Sequence, residues 1–427
     1  MKTYVCTFFS ALILCCLAFY YEPYIHVNST QVKELASISH PIRSIAPADT
    51  NYQDLTFLKE KLKGVDIVML GEQFHGDGAA FLAKSRLIQY LHQELYFDVL
   101  LFESNIYDCF NLWENISGTS IMPPTNDFRE ALFYFWGSSN ETKELRTYIV
   151  QHARSVRSLI LGGFDLQFSG EMSDWDRAQL MKSYLTKKDV FLEKDYKQFF
   201  KTIKSYSYFK ERATSISEID KQAVFNEMDK LITRLAGIQK TNEDKVFIRY
   251  LLGIKTELHY RCMYPGNMEK QSIVRDSMMA ANVIWLKEHL YKNKKIILWA
   301  ANYHIAYNSK YFDSPSKQDK KMGDYLKEKY ASSCYGVNFT SHFGNTYSMW
   351  YDKIFSVTEG VNYGIESMLH TMGKPVAFVD LRGIPENSSL NKKITMKFWA
   401  YFHETAHWSK ITDGIFFIDR MKPATFN

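Results

Sequence analysis

The chain has 427 residues, 46% of them hydrophobic, which is enough to bury a large core in one domain or in one domain with an inserted subdomain. Its 52 basic and 47 acidic residues are spread along the sequence and leave a formal net charge of +5. Because this balance describes an ordinary solvated surface, we predict no nucleic-acid partner.

The amino-terminal segment differs from the rest of the chain. Lys2 is followed by an apolar run over residues 5–21 with no charged residue and no small-x-small cleavage site. Such a run is typical of an export signal or of an uncleaved membrane anchor. We predict a signal peptide or N-terminal membrane anchor at 1–25, a linker at 26–50 and the main domain at 51–427. The protein is expected in the periplasm or cell envelope, held at the membrane through residues 5–21.

Short apolar runs recur along the main domain, and four of them end in polar residues. These runs are DIVML at 66–70, DVLLF at 98–102, LILGGF at 159–164 and KIILWAA at 295–301. The polar residues that follow them are Glu72 with His75, Glu103, Asp165, and Asn302 with His304. Runs without alternation, separated by helical patterns, are typical of an α/β fold with a central, mostly parallel sheet covered by helices. Since ligands bind at the carboxyl ends of such strands, these polar residues are expected to meet at one sheet edge.

The segment after the first run has the periodicity of a helix. The apolar positions with the three-four spacing of one buried stripe are Phe81, Ile88, Leu91 and Leu95. Lys84 falls inside this stripe, where a lysine either carries its ammonium out to water or points it over the helix start into the strand-end site. In the second case Lys84 would contact substrate. Further along, residues 177–262 are rich in Lys, Glu, Leu and Phe and poor in Gly and Pro, which indicates a helical insertion over the sheet edge that acts as a lid.

The strand ends supply the groups that activate water. An imidazole, from His75 or His304, can take a proton from water near neutral pH, and a carboxylate, from Glu72 or Glu103, can orient that imidazole and stabilise its charged form. The sequence contains neither a Gly-x-Ser-x-Gly motif nor a P-loop, which argues against two common hydrolase and nucleotide-binding classes. Catalysis without a covalent nucleophile is therefore predicted; the alternative is a structural polar cluster.

A second motif offers a different chemistry. HETAH at residues 403–407 matches His-Glu-x-x-His, which on a helix presents two zinc ligands, here His403 and His407, and a general-base glutamate. A third ligand would have to come from the residues that follow, where Asp413 and Asp419 are the acidic candidates. A zinc-dependent hydrolase that uses His403 and His407 is kept as a minor alternative.

An ordered series of blocks in the sequence resembles the erythromycin esterase family. LGEQFHGDG, the helix after it and the strand that ends at Glu103 follow the family pattern Gly-Glu-x-x-His-Gly, helix, Glu. Later blocks are Trp136 before ETKELR, GFDLQ at 163–167, RDSMMAANVIWL from Arg275, WAANYHIA from Trp299, MGDYLKEKY from Met322 and DGIFFIDRMKPA near the end. The resemblance spans residues 54–425 and implies an α/β fold with helical insertions and metal-independent hydrolysis of a lactone ester by histidine-activated water.

The resemblance also implies roles for single residues. The positions that match the family's catalytic residues are Glu72, His75, Glu103 and His304. Two positions depart from the family: Lys84 stands where an arginine is frequent, and Ala301 stands in place of the first histidine of Ala-His-Asn-x-x-His.

We therefore predict an exported hydrolase of a small-molecule ester or lactone, similar to enzymes of macrolide resistance, that needs no cofactor and no metal. His75 is the expected general base, oriented by Glu72 or Glu103. His304 is expected to polarise the carbonyl or to protonate the leaving group.

Further substrate contacts are expected from Lys84, Asp165, Arg275 and Asn302. An aspartate and an arginine at such positions also form structural ion pairs, so both roles stay open for Asp165 and Arg275. The alternative from another class is a catalytically silent envelope protein of the same fold that binds a small ligand or a glycan.

Overall fold

Within the part of the chain that the structure describes, the fold is organised by a central sheet of nine strands. The structure is a computed structural model and describes residues 29–118, 125–190, 193–205 and 218–426. The strands are β1 Ser39–Pro41, β2 Ile67–Leu70, β3 Phe97–Asn105, β4 Ile160–Asp165, β5 Lys295–Trp299, β6 Cys334–Ser348, β7 Lys353–Val357, β8 Val376–Asp380, β9 Ile394–Lys397, β10 His403–Ala406 and β11 Gly414–Met421. Strands β9 and β10 form a separate two-stranded antiparallel sheet.

The order of the strands in the large sheet is β1-β8-β11-β6-β2-β5-β3-β4, and β7 pairs with the end of β6. The strands from β11 to β4 run parallel, whereas β1, β8 and β7 pair antiparallel. This arrangement confirms the predicted α/β class with a mostly parallel sheet. It also brings the carboxyl ends of β2, β5, β3 and β4 side by side.

Helices cover both faces of the sheet. They are α1 Ser29–Ser37, α2 Leu58–Lys61, α3 Gly78–Leu95, α4 Ile106–Gly118, α5 Tyr134–Gly137, α6 Lys143–His152, α7 Glu171–Lys187, α8 Lys197–Ser205, α9 Glu218–Ile238, α10 Asn242–Met263, α11 Met268–Trp285, α12 Asn302–Ile305, α13 Met322–Tyr330, α14 Ile365–Thr371 and α15 Trp408–Ile411. A π-helical turn, Leu286–Leu290, extends α11.

Alternate residues of the central strands pack into two different cores. In β2, Val68 and Leu70 join the core beneath α3, whereas Ile67 and Met69 join the core beneath α10 and α11. Both faces are therefore apolar, which explains why the strand sequences show no alternation. The predicted stripe of α3 is buried in the first core.

Two predictions concern the amino-terminal part of the chain. The expected linker at 26–50 is wrong from Ser29 onward, because α1 and β1 lie there and β1 pairs with β8 at the sheet edge. Residues 5–21 lie outside the described residues, so their role as an export signal or anchor stays a prediction. Within the residues that the structure describes, no helix combines the length and apolar character needed to cross a membrane.

The described part of residues 177–262 lies in helices α7 to α10, which line the core on one face of the sheet. Helices α9 and α10 pack against each other, and Thr241 caps the start of α10 by accepting a hydrogen bond from the backbone of Asp244. The action of this region as a lid stays a prediction.

Candidate active site

The polar strand ends meet at the carboxyl edge of the sheet, as the sequence predicts. Glu72 follows β2, Glu103 lies near the carboxyl end of β3, and Asp165 ends β4. His304 lies in α12, just beyond β5. Because these strands are neighbours, the four side chains lie together, and all four are buried.

Glu72 is the centre of the first half of the site. Its side chain is fully buried, and both carboxylate oxygens are held by donors. One oxygen lies 2.8 Å from Nδ1 of His75 and 3.1 Å from the indole nitrogen of Trp136. The other lies 2.8 Å from the ammonium of Lys84 and 3.0 Å from the indole nitrogen of Trp299. Since all four partners donate to it, the carboxylate has one fixed orientation.

His75 is held by rings as well as by Glu72. The ring of Phe135 stacks on it at 4.7 Å with an interplanar angle of 2°, and Trp136 meets it edge-on at 5.3 Å. The side chain keeps 19% of its surface exposed. Because the carboxylate of Glu72 accepts the proton of Nδ1, the opposite nitrogen, Nε2, is left as the basic atom of the neutral ring.

The loop 71–78 reaches this geometry through close backbone contacts. A Cβ at Gly76 would lie 1.6 Å from the carbonyl oxygen of Tyr347, so only glycine fits between His75 and the end of β6. Asp77 accepts a hydrogen bond of 3.0 Å from the backbone of Phe74 and closes the loop. Burial raises the pKa of Asp77 to about 7, although Thr346 and Tyr401 donate hydrogen bonds to its carboxyl.

His304 is the centre of the second half of the site. Its Nδ1 lies 2.8 Å from Asp276, and its Nε2 lies 3.2 Å from Glu103. Burial alone would lower the pKa of His304, but the carboxylates of Asp276 and Glu103 raise it to about 10. The two carboxylates therefore favour the imidazolium form of His304, in which Nδ1 donates to Asp276 and Nε2 lies beside Glu103.

Arg275 joins the carboxylates around His304. Its guanidinium donates to Asp165 at 2.5 and 3.1 Å and to Glu103 at 2.8 Å, and it lies 3.1 Å from Nε2 of His304. Two cations can lie this close because Glu103, Asp165 and Asp276 surround them. Burial opposes the charge of Arg275, but Asp165 and Glu103 hold its pKa well above the ordinary value. Arg275 and Asp165 therefore form the ion pair that the sequence left open.

Glu103 connects the two halves. Burial alone would raise the pKa of its carboxyl, but the charges of His304 and Arg275, with a smaller contribution from His75, hold it well below the ordinary value. His75 is therefore within electrostatic reach of Glu103. The other oxygen of Glu103 accepts a hydrogen bond of 3.0 Å from the backbone of Ala301.

The environments of two predicted substrate contacts assign them other roles. Lys84 is fully buried. Its ammonium contacts the carboxylate of Glu72 at 2.8 Å and lies 4.1 Å from the ring centre of Trp299. Burial lowers the pKa of Lys84 to about 8, against the attraction of Glu72. The amide of Asn302 is also buried, and among the described residues it bonds to backbone groups of Phe339 and Phe398. Lys84 therefore positions Glu72, and Asn302 connects α12 to β6.

Sequence reasoning missed three partners of the candidate catalytic side chains. Asp276, which orients His304, is the neighbour of Arg275 in the block RDSMM and could have been selected as a second carboxylate there. Trp136 and Trp299 lie in family blocks, but no local pattern shows that their indole N–H groups donate to Glu72.

The structure contradicts the zinc alternative at HETAH. Residues His403–Ala406 form strand β10, so His403 and His407 do not lie one turn apart on a helix. Nδ1 of His407 instead lies 2.6 Å from the carbonyl oxygen of Asn391. Within the part of the chain that the structure describes, no group of three or more His, Cys, Asp or Glu side chains could hold a metal ion.

Fold and site define an α/β protein with two carboxylate-bound imidazoles at the carboxyl edge of a parallel sheet. The sequence matches the family model described as erythromycin esterase over residues 92–421, which is most of the chain. The chain therefore belongs to the erythromycin esterase family, and it is an erythromycin esterase-like hydrolase.

Individual relatives agree with this assignment. YbfO of Bacillus subtilis (strain 168), which is named as a hydrolase, is 27% identical over 400 residues, which cover 88% of each chain. Erythromycin esterase type II of Escherichia coli is 22% identical over 402 residues, which cover 87% of this chain and 93% of that protein.

Solved structures show the same fold. A protein described as a succinoglycan biosynthesis protein superposes with a TM-score of 0.77 at 18% identity, covering 94% of this chain and 99% of that one. An erythromycin esterase variant in its open conformation superposes with a TM-score of 0.68 at 17% identity, covering 90% and 98%.

Proposed function

We propose that the protein hydrolyses a carboxylic ester or lactone of a small molecule with a water molecule activated by His75, without a metal and without a covalent enzyme intermediate. The observation that carries the proposal is the hydrogen bond of 2.8 Å between His75 and the fully buried Glu72. It holds one ring nitrogen protonated and leaves the other free to accept a proton from water.

The two histidines have different roles because their surroundings differ. His304 lies between Asp276 and Glu103, which raise its pKa to about 10 against the effect of burial, so it already carries the proton that a general base would have to take. His75 has one carboxylate partner, whose charge is opposed by Lys84. His75 is therefore the base, and His304 is the acid or the hydrogen-bond donor to the substrate carbonyl.

In the proposed reaction, water attacks the ester carbonyl in a single step without an acyl-enzyme. Nε2 of His75 takes a proton from water as the water oxygen attacks the ester carbonyl, and Glu72 stabilises the imidazolium that forms. His304 stabilises the negative charge on the carbonyl oxygen or gives its proton to the leaving alkoxide, and Glu103 and Asp276 hold its ring in place. Among the described residues, the hydrogen-bond partners of the two imidazoles are the carboxylates of Glu72, Glu103 and Asp276, which supports a mechanism without a serine or cysteine nucleophile.

The experiment that tests this function is a comparison of His75→Ala with the wild type on a panel of esters and lactones. We expect turnover by the wild type and a fall of roughly a hundredfold or more in kcat for the variant, the scale of lost acid–base help. His370→Ala is the matched control, because His370 also lies on a carboxylate, 2.7 Å from Asp419, but is exposed. Absence of turnover in the wild type would favour a binding protein, and full activity of His75→Ala would contradict the assignment of the base.

A further inference from the structure

An exposed group of large apolar side chains lies beside His75. It belongs to the hairpin formed by β6 and β7, whose exposed side chains include Trp350, Tyr351, Ile354 and Phe355. Trp350 keeps 65% of its surface exposed and Tyr351 keeps 70%. Exposure of this much aromatic surface at one point is typical of a binding surface.

Trp350 is the member of this group that reaches the site. Its ring centre lies 6.5 Å from that of His75 and 5.7 Å from that of Phe74. On the other side of His75 the ring of Phe135 is stacked at 4.7 Å. Trp350 and Phe135 therefore make His75 part of an aromatic wall, and only the Trp350 end of that wall is largely exposed.

The position of Trp350 is fixed by the catalytic loop. The backbone of Tyr347, at the end of β6, donates a hydrogen bond of 3.2 Å to the carbonyl oxygen of Gly76, next to His75. Thr346 donates to Asp77 at 2.6 Å. The hairpin that carries Trp350 is thus bound to the same loop as the base, so the two rings keep their separation.

We propose that Trp350 is the floor of a substrate-binding subsite that accepts an apolar chain or ring of the ester, and that it makes the enzyme selective for amphiphilic esters over short ones. This inference rests on the proposed function, because the ester carbonyl must lie at His75. The 6.5 Å between the two rings is roughly the span of four or five carbon–carbon bonds, so an acetyl or methyl group does not reach Trp350 and a longer group does.

The test compares Trp350→Ala, Trp350→Phe and the wild type on methyl acetate, methyl octanoate and octyl acetate, with kcat/KM measured by acid release. We expect the wild type to prefer a long ester. In Trp350→Ala, kcat/KM for that long ester should fall about tenfold while the value for methyl acetate stays within twofold, and Trp350→Phe should retain most of the preference. Tyr351→Ala is the matched control, since Tyr351 is exposed on the same hairpin and its ring contact is with Phe355; it should leave both values within twofold.

If the ratio of kcat/KM for the long ester to kcat/KM for methyl acetate is unchanged in Trp350→Ala, the subsite proposal is wrong. An equal fall for both esters would overturn it as well, because Trp350 would then act on His75 rather than on substrate. Equal loss of binding to phosphatidylcholine vesicles in Trp350→Ala and Tyr351→Ala, with the ester ratio unchanged, would assign the hairpin to a membrane surface instead.

Failure of the proposed function is distinguishable from failure of the subsite. If the wild type hydrolyses no ester, the subsite is tested by binding of 2-decanone, an apolar ketone that cannot be hydrolysed, through quenching of tryptophan fluorescence. Saturable quenching that disappears in Trp350→Phe would support the subsite without esterase activity, and identical titrations of both proteins would contradict it.

Discussion

Replacement of Glu72 by glutamine tests how the site is held together. Glu72 accepts from His75, Lys84 and two indoles, and it is fully buried. Glu72→Gln leaves the buried ammonium of Lys84 without its counter-charge.

The expected loss of stability is about 3–5 kcal/mol, the usual cost of removing one partner of a buried ion pair. A second change, Lys84→Met, removes the unpaired ammonium and should recover at least about 2 kcal/mol of that loss. Burial already lowers the pKa of Lys84 to about 8 in the presence of Glu72, so in the single variant Lys84 loses its proton at a still lower pH. The unfolded chain keeps that proton, and the stability deficit of Glu72→Gln should therefore shrink as the pH rises toward 8.

The Lys84→Met change should restore stability to Glu72→Gln but should not restore its catalytic activity. In both Glu72→Gln and the double variant, the glutamine amide can donate to Nδ1 of His75, which places the ring proton on the wrong nitrogen, and kcat should fall roughly a hundredfold or more. Urea unfolding followed by circular dichroism, at pH 6 and pH 8, with ester turnover on the same samples, measures both quantities. Two results would refute the pairing of Lys84 with Glu72. One is a free energy of unfolding for Glu72→Gln within about 1 kcal/mol of the wild type, and the other is a double variant with Lys84→Met that is as unstable as Glu72→Gln alone.

Two further predictions concern His304 and metals. The folded-state pKa of His304 is raised to about 10 by Asp276 and Glu103 against burial, so its charge stabilises the fold fully below pH 6.5 and this contribution is lost as the pH rises through about 10. His304→Gln should therefore lose roughly a hundredfold in kcat and be less stable than the wild type by more at pH 6 than at pH 10; a gap that does not change with pH in urea unfolding would contradict the imidazolium. Esterase activity should survive incubation with EDTA and the His403→Ala change, because in the proposed mechanism His75 activates the water and the carboxylates of Glu72, Glu103 and Asp276 hold imidazoles; loss with EDTA that zinc restores would show a metal requirement.

The positions of the candidate catalytic residues could be predicted because the strands are buried on both faces. Apolar runs without alternation identified β2, β3, β4 and β5, and the carboxyl ends of parallel neighbours share one edge. Glu72, Glu103 and His304 were placed correctly by this reasoning alone.

The orientation and the partners of the side chains could not be predicted in the same way. Lys84 lies in an apolar stripe whether its ammonium is exposed or buried, and the distinction depends on Glu72 in a different segment. HETAH has the spacing of a zinc motif, but the segment pairs with β9 as a strand, and only the tertiary structure determines that pairing. The polarity of Asn302 indicated a ligand contact, whereas its amide bonds to the backbone of β6.

The segment expected as a linker at residues 26–50 is a second case in which strand pairing could not be predicted from the sequence. Its polar composition does not distinguish a mobile segment from an edge strand, and β1 exists because β8 offers it a free edge.

The central claim is that His75 activates water that attacks the ester directly. The most direct test is rapid mixing of the wild type with a stoichiometric amount of a long-chain ester, followed by acid quenching and intact-mass measurement of the protein through one turnover. We predict an unmodified protein mass at every time point, with formation of the acid product, and no product on this timescale with His75→Ala. A transient protein mass increased by the acyl group would contradict the account, because it would show a covalent nucleophile in place of activated water.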